Sequence, residues 1–148
     1  MQVSNIYYGH KYNYHYYPCF QAYEKTFVMI KPDAFERGLN DKIMQSLEAT
    51  GLKISDKIDR IPERKKIEQL YQQYNDRSFF EEWVNYLTSG QIRALVVEGE
   101  DAINKVLKVK EKIRNKFAPN EKRYNLIHSS DTVDDAIRES GIFFGVVV

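Results

Sequence analysis

Four short apolar runs alternate with stretches of helical period, and that alternation limits the fold more than any other feature. Thr26-Phe27-Val28-Met29-Ile30 reads as a buried strand. It is stopped at Lys31-Pro32-Asp33, by the proline and by the restriction a proline places on its predecessor. Leu52 to Asp59, Ile92 to Glu98 and Tyr124 to Ser129 read as three further strands. Between the first two, residues 40–50 put Ile43 and Leu47 on one helical face, and Gly51 is the stop signal. Pro62 opens a helix of about 12 residues that carries Ile67, Leu70, Tyr71 and Tyr74. Phe79 to Leu87 reads as a short helix and Asp101 to Phe117 as a long one. Asp131 to Glu139 reads as the last, with Gly141 behind it.

This order predicts an α+β domain, a ferredoxin-like sandwich whose antiparallel four-stranded sheet is covered by helices. The 148 residues suit one such domain, over 24–148. Residues 1–23 differ in composition. They hold seven of the 11 tyrosines and both His10 and His15, and they read as an aromatic-rich extension. No carboxylate or thiol cluster accompanies the two histidines, so no metal site is expected there. Cys19 is the sole cysteine, which excludes an intramolecular disulfide framework and a clustered-cysteine zinc site. Lys plus Arg total 22 and Asp plus Glu 21, a net of +1, so charge gives no case for a nucleic-acid or membrane partner. No apolar run approaches the roughly 18 residues of a membrane span, and the N-terminus lacks the apolar core of a secretory signal. A cytoplasmic protein is expected.

His128 is the only histidine after the extension, and it sits at a predicted strand end in Asn125-Leu126-Ile127-His128-Ser129-Ser130-Asp131. A lone histidine is most often structural, but two other residues change the weighing. Lys31 closes another apolar strand, a place where a lysine has a use only if it points into a site. Glu139 follows His128 by 11 residues, at the end of a predicted helix that could fold back. A carboxylate there could hold the imidazole in one tautomer and leave the other nitrogen as a nucleophile. Residue chemistry alone goes as far as a phosphoryl-transfer or acid–base histidine with a lysine nearby.

Several segments together resemble the nucleoside diphosphate kinases. EKTFVMIKPDAFERGL (24–39) resembles that family's opening strand, and NLIHSSD (125–131) its active-site histidine motif. Tyr71 and Phe79 keep the family's spacing in LYQQYNDRSFF, and Ser89-Gly90, VVEG at 96–99 and ESGIFF near the end also match. The resemblance implies γ-phosphate transfer from a nucleoside triphosphate to a nucleoside diphosphate by a ping-pong route. It implies that His128 is the phosphorylated nucleophile, that Glu139 orients its ring and that Ser130 supports the site by hydrogen bonding. Lys31 would neutralise the transferring phosphoryl group, Tyr71 would lie near the phosphates and Asn125 would contact the sugar. Phe79 would stack on the base, through a π-face that tolerates every base. Mg²⁺ would arrive bridging the phosphates. Trp83 stands where the family usually has an aliphatic residue, which suits either added aromatic surface for the base or plain core packing.

One stretch departs from the pattern. The family's PGTIRG loop before the histidine is missing, and Gly99 to His128 spans only 29 residues. An arginine and a threonine for the phosphates are lost with the loop, and a second arginine of the preceding helix aligns with Leu107. A hydrogen bond to a charged group contributes roughly 1.5–3 kcal/mol. Losing two or three without replacement would weaken nucleotide handling by roughly 10²–10⁴-fold. Replacements are at hand, because residues 105–123 hold eight basic residues against Glu111 and Glu121. On a helical wheel Ile103, Val106, Leu107, Ile113 and Phe117 form the apolar arc. Lys105, Lys108, Lys112 and Lys116 face away from that arc, whereas Lys110 and Arg114 fall inside it, where a charge needs a partner or a pocket. We therefore expect the helix to run on through the deletion, with Arg114, and Lys110 second to it, taking over phosphate binding. The same loop helps the family build trimers of dimers, so a homo-oligomer is expected to be a dimer rather than a hexamer. Two other readings stay open: a nucleotide-binding or regulatory module on the same fold with reduced or lost kinase activity, and an unrelated nucleic-acid binder using residues 105–123.

Overall fold

The computed structural model describes residues 22–145. In order, the elements are β1 (Tyr23–Ile30), α1 (Pro32–Glu36), α2 (Asn40–Glu48), β2 (Lys53–Arg60) and α3 (Arg64–Leu70). After a 3-10 turn (Gln72–Tyr74) come α4 (Phe80–Leu87), β3 (Ile92–Glu100), α5 (Ala102–Phe117), β4 (Ile127–Ser129) and α6 (Val133–Phe144). Most of the tyrosine-rich extension, with His10, His15 and Cys19, lies outside the described residues. Among the described residues no helix is long and apolar enough to cross a membrane.

The four strands form one sheet in the order β2-β3-β1-β4, and every neighbouring pair is antiparallel. This is the expected ferredoxin-like arrangement. β1 pairs along its whole length with β3, from Tyr23 opposite Glu100 to Ile30 opposite Arg93. Its other edge takes β4, with Met29 opposite His128. Helices cover both faces, which is why β1 reads as an unbroken apolar run rather than an alternating one. On one face Val28, Ile30 and Leu95 pack with Ile43 and Leu47 of α2 and Val106 and Ile113 of α5. On the other, Phe27 and Met29 pack with Ile67 of α3, Trp83 and Leu87 of α4 and Phe143 of α6. Gly51, at φ +82°, turns the chain out of α2 where the stop was expected.

The structure departs from the expected elements in four places. Pro32 both ends the strand and opens α1, a short helix that the sequence pattern did not show. The helix after Pro62 is shorter than expected. Tyr71 leaves helical geometry (φ −108°, ψ 24°), and the exposed Gln72 and Gln73 give a further turn no apolar face to rest on. α6 instead runs through Gly141, because Ile142, Phe143 and Phe144 pack on the second core cluster and outweigh the glycine's cost. The last strand is only Ile127–Ser129, because Leu126 at φ +78° cannot be part of a ladder.

Candidate active site

His128 lies on β4 with its ring on the α6 side of the sheet, 6.1 Å from the Phe27 ring between centroids. Its Nε2 is 2.9 Å from Oε1 of Glu139, on α6. The Ser130 hydroxyl donates to that same oxygen at 2.6 Å, and Arg138 Nη2 lies 3.4 Å from the other. Glu139 is buried, so α6 has to be seated accurately. Thr132 does part of this by capping the helix, its hydroxyl accepting the Asp135 N–H at 3.1 Å. Burial tends to raise the Glu139 carboxyl, but the His128 and Ser130 hydrogen bonds and the Arg138 charge prevail and hold it below the usual range. Burial pushes the His128 imidazole down, against the pull of Glu139. With a carboxylate accepting at Nε2, that nitrogen carries the proton and Nδ1 keeps its lone pair.

The approach to His128 is held from the far end of β1. Lys31, extended because it precedes Pro32, donates its backbone N–H to the Leu126 carbonyl at 2.9 Å. The Asp33 carboxylate accepts the Leu126 N–H at 3.1 Å, and Tyr86 donates its hydroxyl to the other carboxylate oxygen. Ile127 N–H then closes on the Asn125 carbonyl at 2.9 Å, a γ-turn about Leu126. A leucine at positive φ is strained, and strain persists where the surroundings over-determine it. Here Lys31 and Asp33 supply that restraint, two residues ahead of His128. The Lys31 ammonium is buried as well. It donates to Asn125 Oδ1 at 2.6 Å and the Arg123 carbonyl at 3.3 Å, and sits 4.7 Å from the Trp83 ring centroid. Burial, then the nearby Arg114 charge, pushes its pKa down to about 7, although Asp33 pulls the other way.

His128 opens onto a cleft of about 500 Å³. Its floor is aromatic: Tyr71 lies 5.6 Å from the His128 ring and 5.7 Å from Trp83, and Tyr74 lies 6.1 Å from Phe79. Among the described residues its charge is all of one sign, from Lys31, Arg114, Lys122 and Arg123, with no carboxylate in the lining. α5 runs to Phe117 and brings Arg114 to the cleft, where Nη2 donates to the Ile127 carbonyl at 2.6 Å. Burial lowers the pKa of Arg114, yet a guanidinium stays charged. Two buried donors in these walls, Tyr71 Oη and Arg114 Nε, have no hydrogen-bond partner among the described residues. The cations in these walls favour a ligand that is anionic and rich in acceptors. A carboxylate-free cationic cleft with an aromatic floor, beside a neutral carboxylate-held histidine, suits a nucleotide with its phosphates toward His128.

The family model described as nucleoside diphosphate kinase matches residues 24–147. The chain belongs to the nucleoside diphosphate kinase family. It is 40% identical over 131 residues to the nucleoside diphosphate kinase of Saccharolobus solfataricus, covering 82% of this chain and 94% of that one. With that of Listeria monocytogenes the identity is 39% over 132 residues, covering 82% and 88%. Among solved structures, an orthorhombic crystal form of the Aquifex aeolicus nucleoside diphosphate kinase superposes with a TM-score of 0.73 at 33% identity, covering 85% of this chain and all of that one. The apo enzyme of Encephalitozoon cuniculi gives 0.73 at 31%, covering 82% and 89%.

Of the site residues expected from the sequence, Lys31, Tyr71, Phe79, Arg114, Asn125 and His128 line the cleft, and Ser130 and Glu139 stand behind the imidazole. Lys110 is not among the lining residues. Its ammonium is 3.5 Å from Asp131 Oδ1, and burial, then Arg114, lowers its pKa. Sequence reasoning assigned nothing to Asp33, whose signal was an acid two residues past Lys31, or to Tyr86, which holds it. It also left Lys122 and Arg123 as two basic residues among eight. Their signal was position, immediately before Asn125.

Proposed function

We propose that this chain transfers the γ-phosphate of a nucleoside triphosphate to a nucleoside diphosphate through a phosphohistidine on His128. One observation carries the reading. An imidazole whose Nε2 is occupied by Glu139 opens onto a cleft lined by Lys31, Arg114, Lys122 and Arg123. In the first half-reaction the Nδ1 lone pair attacks the γ-phosphorus. An N–P bond forms, the bond to the bridging oxygen breaks, and the diphosphate leaves with that electron pair. In the second, a terminal phosphate oxygen of the acceptor diphosphate attacks phosphorus and the N–P pair returns to Nδ1.

Glu139 and Ser130 hold the ring through both halves, and the carboxylate stabilises the positive charge that the ring gains. Lys31 and Arg114 neutralise the phosphoryl oxygens, and Tyr71 donates to one of them. Lys110, tied to Asp131, adds charge from behind rather than contact. Asn125 faces the sugar while bridging Lys31 to the Lys122 carbonyl. Phe79 offers the base a stacking face. With no carboxylate lining the cleft among the described residues, Mg²⁺ enters as part of the substrate, held by its phosphates. We also propose a dimer, since the loop that builds trimers of dimers is missing and β2 leaves a sheet edge unpaired among the described residues; sedimentation at several concentrations tests it.

The deciding experiment incubates the protein and its His128→Ala variant with Mg²⁺ and γ-labelled ATP, then adds a second nucleoside diphosphate. We expect acid-labile label on the unmodified protein alone, discharged onto the added diphosphate. Absence of label with nucleotide binding retained would overturn the kinase reading and leave a nucleotide-binding module.

A further inference from the structure

The polypeptide between α5 and β4 is short, and its backbone is fixed to the site at several points. The Arg123 carbonyl accepts from Lys31 Nζ, and the Lys122 carbonyl accepts from Asn125 Nδ2 at 3.1 Å. Glu121 Oε1 accepts the Arg123 N–H at 3.3 Å. This fixed backbone brings the half-buried Arg123 side chain to the cleft, with its guanidinium carbon 5.6 Å from the Phe79 ring centroid. The guanidinium makes no hydrogen bond or ion pair among the described residues, and it faces the Phe79 ring as a cation–π partner. Phe79 is also the end of the floor remote from His128, beyond Tyr71 and Tyr74.

We propose that Arg123 closes the outer end of the cleft into a cation–π clamp, with a nucleobase held between its guanidinium and the Phe79 ring, and that this clamp favours purines. The assignment rests on the nucleotide reading above and adds the residue that sets base preference. A base between two planes needs two stacking contacts of about 3.5 Å each, about 7 Å in all. The present spacing of 5.6 Å is short of that by little more than 1 Å, a movement within reach of an unbonded arginine side chain. A guanidinium stacks on π-faces and is weakly hydrated, so it loses little on entering such a slot. The two-ring purine offers both walls more π-surface than a pyrimidine does. An otherwise base-indifferent stacking site is thereby graded by ring size. Arg114 and Lys31 lie toward the phosphate end, so Arg123 is a base contact rather than a further phosphate ligand.

The test measures dissociation constants of ADP, UDP and inorganic tripolyphosphate for the unmodified protein, Arg123→Ala and Arg123→Lys. Both variants keep the backbone carbonyl that holds Lys31. Arg123→Ala should weaken ADP about 5–20-fold and UDP about 2–4-fold. Tripolyphosphate, which has no base, should bind all three proteins alike. Arg123→Lys should resemble Arg123→Ala, because an ammonium keeps the charge but not the plane. An equal loss for all three ligands would make Arg123 a phosphate ligand, and no loss for any nucleotide would leave it a surface charge; either result overturns the clamp. If the unmodified protein bound neither nucleotide nor tripolyphosphate, the nucleotide reading itself would fall, and the clamp with it.

Discussion

The two sides of the cleft are held together by opposite means. Behind His128 the polar groups pair with one another: Nε2 and the Ser130 hydroxyl share one oxygen of Glu139, and Arg138 approaches the other. Across from it, cations rest on neutral carbonyl oxygens and aromatic faces, Lys31 on Asn125 Oδ1, Arg123 and Trp83, Arg114 on Ile127. Among the described residues no carboxylate lines that side. The nucleophile's side is complete without substrate, whereas the cationic side is completed by an anion. Disturbing the first should therefore change the rate of the chemical step, and disturbing the second should change affinity.

The largest effect expected from breaking this division is at Glu139. Glu139→Gln keeps the shape and removes the charge that stabilises the ring during transfer. Loading of phosphate onto His128 should slow about 10–100-fold in a single-turnover experiment, with nucleotide affinity nearly unchanged. An affinity loss of the same size would mean that the two sides are not separable. Next comes Arg114→Met. It removes the donor that the shortened region brings to the cleft, and KM should rise about 10–100-fold, by loss of a charge-assisted hydrogen bond. Steady-state kinetics with kcat and KM resolved will show whether the loss lies in KM.

The nucleophile's side was legible in the sequence because its parts are local to elements that announce themselves. His128 and Lys31 stand at the ends of apolar runs, and Glu139 follows on the next helix. Arg114 was legible for a different reason, as a charge inside an apolar arc. Lys110 occupies the same arc, but a pairing with Asp131 takes it out of the cleft, and periodicity cannot see a partner 21 residues away. What could not be read depends on contacts between distant segments. Asp33 reaches the Leu126 N–H across 93 residues, and only then does a leucine tolerate positive φ and cut the last strand to three residues. The Arg123 stack on Phe79 has the same character. The family resemblance supplied the roles, but it gave no guidance on the stretch where this chain departs from the family.

A smaller effect, and one with a sign, concerns Lys31. Its pKa falls from an ordinary 10.5 to about 7, through burial first and the Arg114 charge second. Between those two values the unfolded chain holds a proton that the folded chain has released. Stability should therefore rise with pH across that window, and below pH 7 the full penalty of a buried charge is present. Lys31→Met should flatten this rise and add on the order of a few kcal/mol at pH 6 relative to pH 10, read by urea denaturation at each pH. An unchanged slope would mean that the ammonium is already compensated in the free protein, and the contrast between the two sides would weaken.

The smallest effect tests how far the cationic side extends. Lys108, Lys112 and Lys116 lie on the same helix as Arg114 but are exposed and absent from the cleft walls. If binding depends on donors placed at the phosphates, exchanging all three for glutamine should leave the rate of nucleotide association unchanged at either salt concentration. If it depends on the summed field of α5, the same exchange should slow nucleotide association severalfold at low ionic strength and have little effect at 0.15 M, where the Debye length is about 8 Å. Stopped-flow association at the two salt concentrations separates these cases. Indifference at both is the expected result. Charge in solvent is screened whether or not a nucleotide is present, whereas Arg114 and Lys31 sit in the cleft walls, where little water separates them from a phosphate.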